Sequence, residues 1–156
     1  MTNKRVEVTL DSIDQTIAML RRAGQRRAEG VVLWLGRRQQ DCTKVIEVYE
    51  PEFFSEEDFF RIPEVGMRLL FAHLGERGLH VAAQVHSHPK EAFHSKADDL
   101  WAIVRHVGAL SMVLPYFASN TTAHNFMFEA AVFQLSGDNC WVQVPEEVLG
   151  EVLEII

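Results

Sequence analysis

The sequence predicts an α/β protein, a mixed β-sheet sandwiched by helices, and three observations lead there. Short strand-like apolar runs alternate with segments of 3.6-residue periodicity, the pattern of helices packed on one sheet. No repeat, low-complexity tract or linker interrupts the 156 residues, so one domain spans 1–156; at that length a chain buries ~70% of its unfolded surface. The apolar fraction of 47% and charged fraction of 24% are those of an ordinary globular domain.

Residues 4–10 alternate and read as a strand. Asp11 or Ser12 then caps a helix to about Arg22, with Ile13, Ile17 and Leu20 inward and Gly24 as the stop. Arg21, Arg22, Arg26 and Arg27 form a basic cluster that suits a solvated helix end or an acidic partner. Val31–Leu35 is an apolar strand closed by Gly36, and Glu29 at its entrance is a solvated strand-end residue or a buried group with a partner. A hairpin loop at 36–41 leads to a strand at 44–50. Residues 51–62 interleave four Phe with acids and have no clean period. Phe53, Phe54, Phe59 and Phe60 there are core residues or an exposed grip for a partner. A helix over 63–76 has Pro63 at N1 and apolar Val65, Leu69, Leu70, Phe71 and Leu74.

Val81–Val85 is a buried strand running into His86-Ser87-His88-Pro89. Strand residues at i and i+2 share a face, so the two imidazoles stand side by side, about 6.5–7 Å apart at the backbone. Ser95 then caps a helix whose apolar positions are Ala97, Leu100, Trp101, Val104 and Val107. Asp98 falls at N3, where the helix dipole favours a carboxylate. Two neutral His and one Asp leave a fourth tetrahedral position open, the pattern of a catalytic zinc site. Strands follow at 111–117, 125–135 and 140–144, with a turn at Gly137-Asp138. An amphipathic helix from Pro145 through Val148, Leu149, Val152, Leu153 and Ile156 ends the chain.

Other families with an His-x-His pair fit less well. A cupin wants a glutamate farther along a β-barrel, a barrel amidohydrolase needs ~250 residues, and a metallo-β-lactamase would continue with Asp-His. Glu29, His86-Ser87-His88-Pro89 and Ser95-x-x-Asp98 together resemble the JAMM (JAB1/MPN/Mov34) zinc metalloprotease signature. The resemblance is specific from about Ala28 to Phe117, and compact bacterial members are most similar. It implies the MPN fold, with its cytidine-deaminase-like layering, and a Zn2+ held by His86, His88 and Asp98. It implies Glu29 as general base, with Glu47, Glu50 and Glu52 as rivals, and Ser95 as donor to the developing oxyanion. Phe53, Phe54 and Phe93 become substrate-binding residues, in a family where an extended glycine-rich tail lies along a sheet edge. Nine residues separate His88 from Asp98 where the family usually has ten. Asp99 would restore that spacing, but Asp98 alone keeps the S-x-x-D relation to Ser95.

The implied reaction is cleavage after the C-terminal glycine of a ubiquitin-like protein, as deconjugation or precursor processing. The implied setting is a bacterial conjugation pathway, including antiphage ones, with E1- or E2-like enzymes as further partners. Processing of a sulfur-carrier protein and a non-catalytic MPN scaffold are the alternatives. A formal net charge of −7 disfavours a nucleic-acid partner. Cys42 and Cys140 lack CxxC spacing and read as reduced thiols. With no apolar leader and no ~18-residue apolar run, a cytoplasmic location is expected.

Overall fold

A computed structural model describes residues 5–52, 54–55, 60–93, 98 and 102–156. The elements are β1 (Arg5–Val8), α1 (Leu10–Gln25), β2 (Val31–Arg38), β3 (Cys42–Tyr49), β4 (Phe54–Ser55), β5 (Phe60–Arg61), α2 (Glu64–Arg77), β6 (His80–Ser87) and β7 (Leu110–Leu114). They continue with α3 (Phe126–Glu129), β8 (Ala131–Leu135), β9 (Trp141–Gln143), α4 (Leu149–Val152) and β10 (Leu153–Ile155). Eight strands form one mixed sheet ordered β10-β1-β3-β2-β6-β7-β8-β9, and β4 pairs β5 separately. The expected α/β architecture is present, and β6 runs through the interior of the sheet.

Each face of the sheet has its own core. On one, Ile13, Ile17 and Leu20 of α1 pack against Val32, Trp34 and Val85. On the other, Leu70 of α2 and Leu79 pack against Val31, Leu33 and Leu35. Alternating residues of β2 thus serve opposite layers, which explains why its sequence is apolar throughout.

Several boundaries differ from the sequence expectation. Thr9, not Asp11 or Ser12, caps α1, its Oγ1 accepting the Ser12 N–H at 3.1 Å. Gly24 does not stop that helix; a Cβ there would lie 2.6 Å from the Phe117 Cβ, so the glycine permits close packing and α1 runs on to Gln25. Arg21 of the basic cluster is structural, its guanidinium donating to the carbonyls of Ala118 at 3.0 Å and Thr121 at 2.6 Å. Gly36 sits inside β2 at a register shift, where a Cβ would come within 2.9 Å of the Lys44 carbonyl.

Pro63 is the N-cap of α2 rather than N1, and Val65, Leu69 and Phe71 are exposed while Leu70 is buried. No helix passes through Val104 and Val107: residues 102–109 are irregular, and the Ile103 N–H is taken by the Gln84 side chain. The strand expected at 111–117 ends at Leu114, because Tyr116, Phe117 and Ala118 all have positive φ. Asn125–Glu129 is not strand; α3 forms there and buries Phe126 against Trp34, ring centroids 5.9 Å apart. The terminal helix shrinks to α4, because Leu153 is buried by pairing in parallel with Val6 of β1.

Candidate metal centre

The antiparallel register of β2 and β6 builds the centre. Val31 pairs with His86, and the Ser87 N–H bonds the Gly30 carbonyl at 3.1 Å. Continuing that register sets Gly30 opposite Ser87 and Glu29 opposite His88. Cross-strand partners share a face, so Glu29 reaches the side of the sheet that carries both imidazoles. Its Oε1 lies 3.9 Å from the His88 Nε2.

Asp98, in helical conformation, closes the group from the third side. The His86 and His88 Nε2 atoms are 3.2 Å apart, and Asp98 places Oδ1 at 3.1 Å from the first and Oδ2 at 3.1 Å from the second. In a tetrahedral zinc site with bonds of about 2.0–2.1 Å, neighbouring donors stand about 3.3–3.4 Å apart. Three nitrogen and oxygen donors converging at nearly that spacing fit such a cation. His86, His88, Asp98 and Glu29 are at most 4% exposed. Charged groups buried this deeply require partners or a metal.

The surroundings fix the candidate ligands. The rings of His86 and His88 lie 5.0 Å apart. The His88 N–H donates to the Leu114 carbonyl at 2.9 Å, and its own carbonyl accepts the Phe117 N–H at 2.8 Å. The left-handed turn at Tyr116–Ala118 therefore holds the backbone of a candidate ligand. Such a turn costs ~1–2 kcal/mol per non-glycine residue, and Arg21 braces it through its bonds to the Ala118 and Thr121 carbonyls. Beneath His86 on the same face, the buried Gln84 donates to the Ser111 Oγ at 3.0 Å and accepts the Ile103 N–H at 2.9 Å. It ties down the chain five residues beyond Asp98. Phe93 stands edge-on to His88, centroids 4.6 Å apart, and is 54% exposed, which places it at the rim of the centre.

Of the other sequence candidates, Ser95, Phe53 and the rival ligand Asp99 lie outside the described residues. Phe54 is in β4, its backbone paired with Arg61. Glu47 is engaged by His73 at 2.9 Å and Arg77 at 3.3 Å, and Glu50 and Glu52 are exposed. Sequence reasoning missed Gln84 and Ser87. The signal for Gln84 was there: a lone polar residue two positions before His86 in an apolar run.

Fold and site together define an α/β protein with a buried His-His-Asp group able to hold a metal, an arrangement of metal-dependent hydrolases. Over 157 residues the chain is 32% identical to a protein of Sinorhizobium fredii (strain NBRC 101917 / NGR234) named "Probable metalloprotease y4jG", covering 97% of this chain and 94% of that one. The chain belongs to that metalloprotease family. No family model matches it. Among solved structures it resembles protein DSY2949 of Desulfitobacterium hafniense, with a TM-score of 0.69 and 18% identity over 97% of this chain and 91% of that one. A protein from Salinibacter ruber is also similar, with a TM-score of 0.60 and 17% identity over 96% and 90%. At such identities these two show a shared fold alone. No described helix is long and apolar enough to cross a membrane.

Proposed function

We propose that the chain is a JAMM/MPN-type zinc peptidase acting after the C-terminal glycine of a ubiquitin-like protein. The observation that carries this reading is the buried His86–His88–Asp98 triangle with Glu29 directly across the sheet. His86, His88 and Asp98 would hold the ion through two Nε2 atoms and a carboxylate oxygen. When bound, zinc supplies Lewis acidity that lowers the pKa of water from 15.7 toward ~7.

The remaining work falls to the chain's own side chains. Glu29 takes the water proton at a carboxylate oxygen and returns it to the leaving amine, the general acid–base role of a carboxyl held near the reacting atoms. Ser95 donates to the oxyanion that develops on the scissile carbonyl, a contribution of ~3–4 kcal/mol for such donors. Phe93, exposed beside His88, offers an apolar surface to the residues flanking the cut, and Phe53 and Phe54 are the further substrate contacts of this reading. The acidic chain, at net charge −7, suits a protein substrate over a polyphosphate one. E1- or E2-like enzymes of a bacterial, including antiphage, conjugation pathway are the expected cytoplasmic neighbours.

The test is cleavage of a fusion to a ubiquitin-like protein, with and without chelator. Release at the glycine, abolished by chelator and restored by zinc, is the expected result. Chelator-insensitive cleavage, or none on any glycine-terminated ubiquitin-like fusion, overturns the proposal.

A further inference from the structure

Gly30 and Ser87 face each other at a hydrogen-bonded position of the β2–β6 ladder, yet only half of the usual pair is backbone. The Ser87 N–H donates to the Gly30 carbonyl at 3.1 Å, but the Gly30 N–H donates to the Ser87 Oγ at 2.9 Å. A side chain has taken the place of a carbonyl at the last rung before Glu29. Ser87 is fully buried, between the two candidate ligands in sequence. Gly30 is closely packed on the α1 side: a Cβ there would stand 3.0 Å from both the Ala23 Cβ and the Leu20 Cδ2 of α1. The backbone next to Glu29 is thus packed against α1 and held to Ser87 at both its carbonyl and, through the hydroxyl, its amide.

We infer that Ser87 is a positioning residue, its hydroxyl fixing the Gly30 amide so that the Glu29 carboxylate is held across from His88. The role rests on Glu29 being the base proposed above. Without the Oγ, the Gly30 amide loses its acceptor in a buried place, where an unsatisfied N–H is costly. The cheapest relief is a shift of residues 28–30, which moves Glu29 while His86 stays in β6 and the His88 backbone stays bonded to Leu114 and Phe117. A displacement of ~1 Å is enough to cost on the order of 10²-fold in rate.

The experiment compares Ser87→Ala, Ser87→Thr and Ser87→Cys with wild type and Glu29→Gln. Zinc affinity is measured by competition with a chromogenic chelator, kcat and KM on the fusion substrate, and amide exchange by NMR on metal-free protein. In Ser87→Ala the Gly30 amide exchanges at least about tenfold faster, while zinc affinity and KM stay within about threefold. Its kcat falls about 10- to 100-fold, and Ser87→Thr, which keeps the oxygen, restores most of it. Ser87→Ala adds little to Glu29→Gln, since residues acting through one another are non-additive. Should Ser87→Ala not fold, Ser87→Cys reports instead, its sulfur being a weak acceptor of similar size.

Unchanged Gly30 exchange, full kcat in the alanine or cysteine variant, or zinc affinity falling in step with kcat overturns the inference. So does an additive double variant. Failure of the underlying reading is seen separately, as wild-type cleavage that Glu29→Gln does not impair. The exchange measurement stands independently of turnover.

Discussion

The Glu29 Oε1 lies 3.9 Å from the His88 Nε2, two residues brought together across adjacent strands from 59 positions apart in sequence. Glu29 stands outside the group in which the donor atoms of His86, His88 and Asp98 converge, a placement that suits a carboxylate exchanging a proton with water held beside the ring. Glu29→Gln preserves shape and removes the proposed base. It is expected to keep zinc at wild-type stoichiometry, measured by plasma mass spectrometry, and to lose about 10²–10⁴-fold in kcat. Loss of zinc from this variant would make Glu29 a ligand.

Metal loading should stabilise the fold, because the donors are already converged in the folded chain and dispersed in the unfolded one. Free zinc at about 100 times its dissociation constant adds about 2.7 kcal/mol. Urea unfolding with and without chelator reads this increment directly. Asp98→Ala should abolish most of it, leaving two imidazoles 3.2 Å apart without the carboxylate that completes the group. An Asp98→Ala protein stabilised by zinc as fully as wild type contradicts the assignment of that ligand.

How much of this was legible in the sequence depended on whether the governing interaction was local. The strand that carries His86 and leads into His88 could be read because its apolar run and i, i+2 spacing are self-contained. Glu29 could not be placed by local chemistry alone: its burial follows from the β2–β6 register, a non-local pairing. The same holds for β10, whose residues look helical until β1 offers an edge to pair with. Phe126 has strand propensity, but its ring packs on Trp34 of β2, more than ninety residues earlier, and the backbone follows. The irregular 102–109 segment escaped for a related reason, since the acceptor for the Ile103 N–H is the side chain of Gln84 and no helical carbonyl.

Gln84 supports a stability prediction of its own. Gln84→Met keeps the volume but removes the acceptor for Ile103 and the donor to Ser111. Leaving the part-buried Ile103 N–H without its acceptor costs at most about 1–3 kcal/mol, readable as a lower urea midpoint in metal-free protein. Zinc affinity should fall as well, because the segment leaving Asp98 loses its anchor. A variant as stable as wild type, with equal zinc affinity, contradicts that bracing role.

His80 makes the fold sensitive to acid. Desolvation, then Arg38 and His106, push its pKa below the ordinary value against a raising contribution from the Gly36 backbone. A histidine with a depressed folded pKa is protonated first in the unfolded chain. Its contribution is therefore intact above about pH 6.5 and is lost as pH falls toward the folded pKa. Between about pH 7.5 and 5.5 the wild type should lose more stability than His80→Gln. Equal losses would show that His80 titrates alike in both states.

Two glycines in helices give opposite signs for the same substitution. In α2, a Cβ on Gly75 meets nothing within 4 Å, so Gly75→Ala should gain the ~0.5–1 kcal/mol of helix propensity. In α1, a Cβ on Gly24 would lie 2.6 Å from the Phe117 Cβ and 3.1 Å from its carbonyl, so the overpacking cost of ~1–3 kcal/mol outweighs that gain. Phe117 cannot retreat freely, because its N–H holds the His88 carbonyl at 2.8 Å. Gly24→Ala should therefore lower both the thermal midpoint and zinc affinity, whereas Gly75→Ala raises the midpoint and leaves affinity alone. Thermal melts paired with chelator competition on the two variants check the signs. A Gly24→Ala protein that is more stable and binds zinc as wild type does would sever α1 from the metal centre.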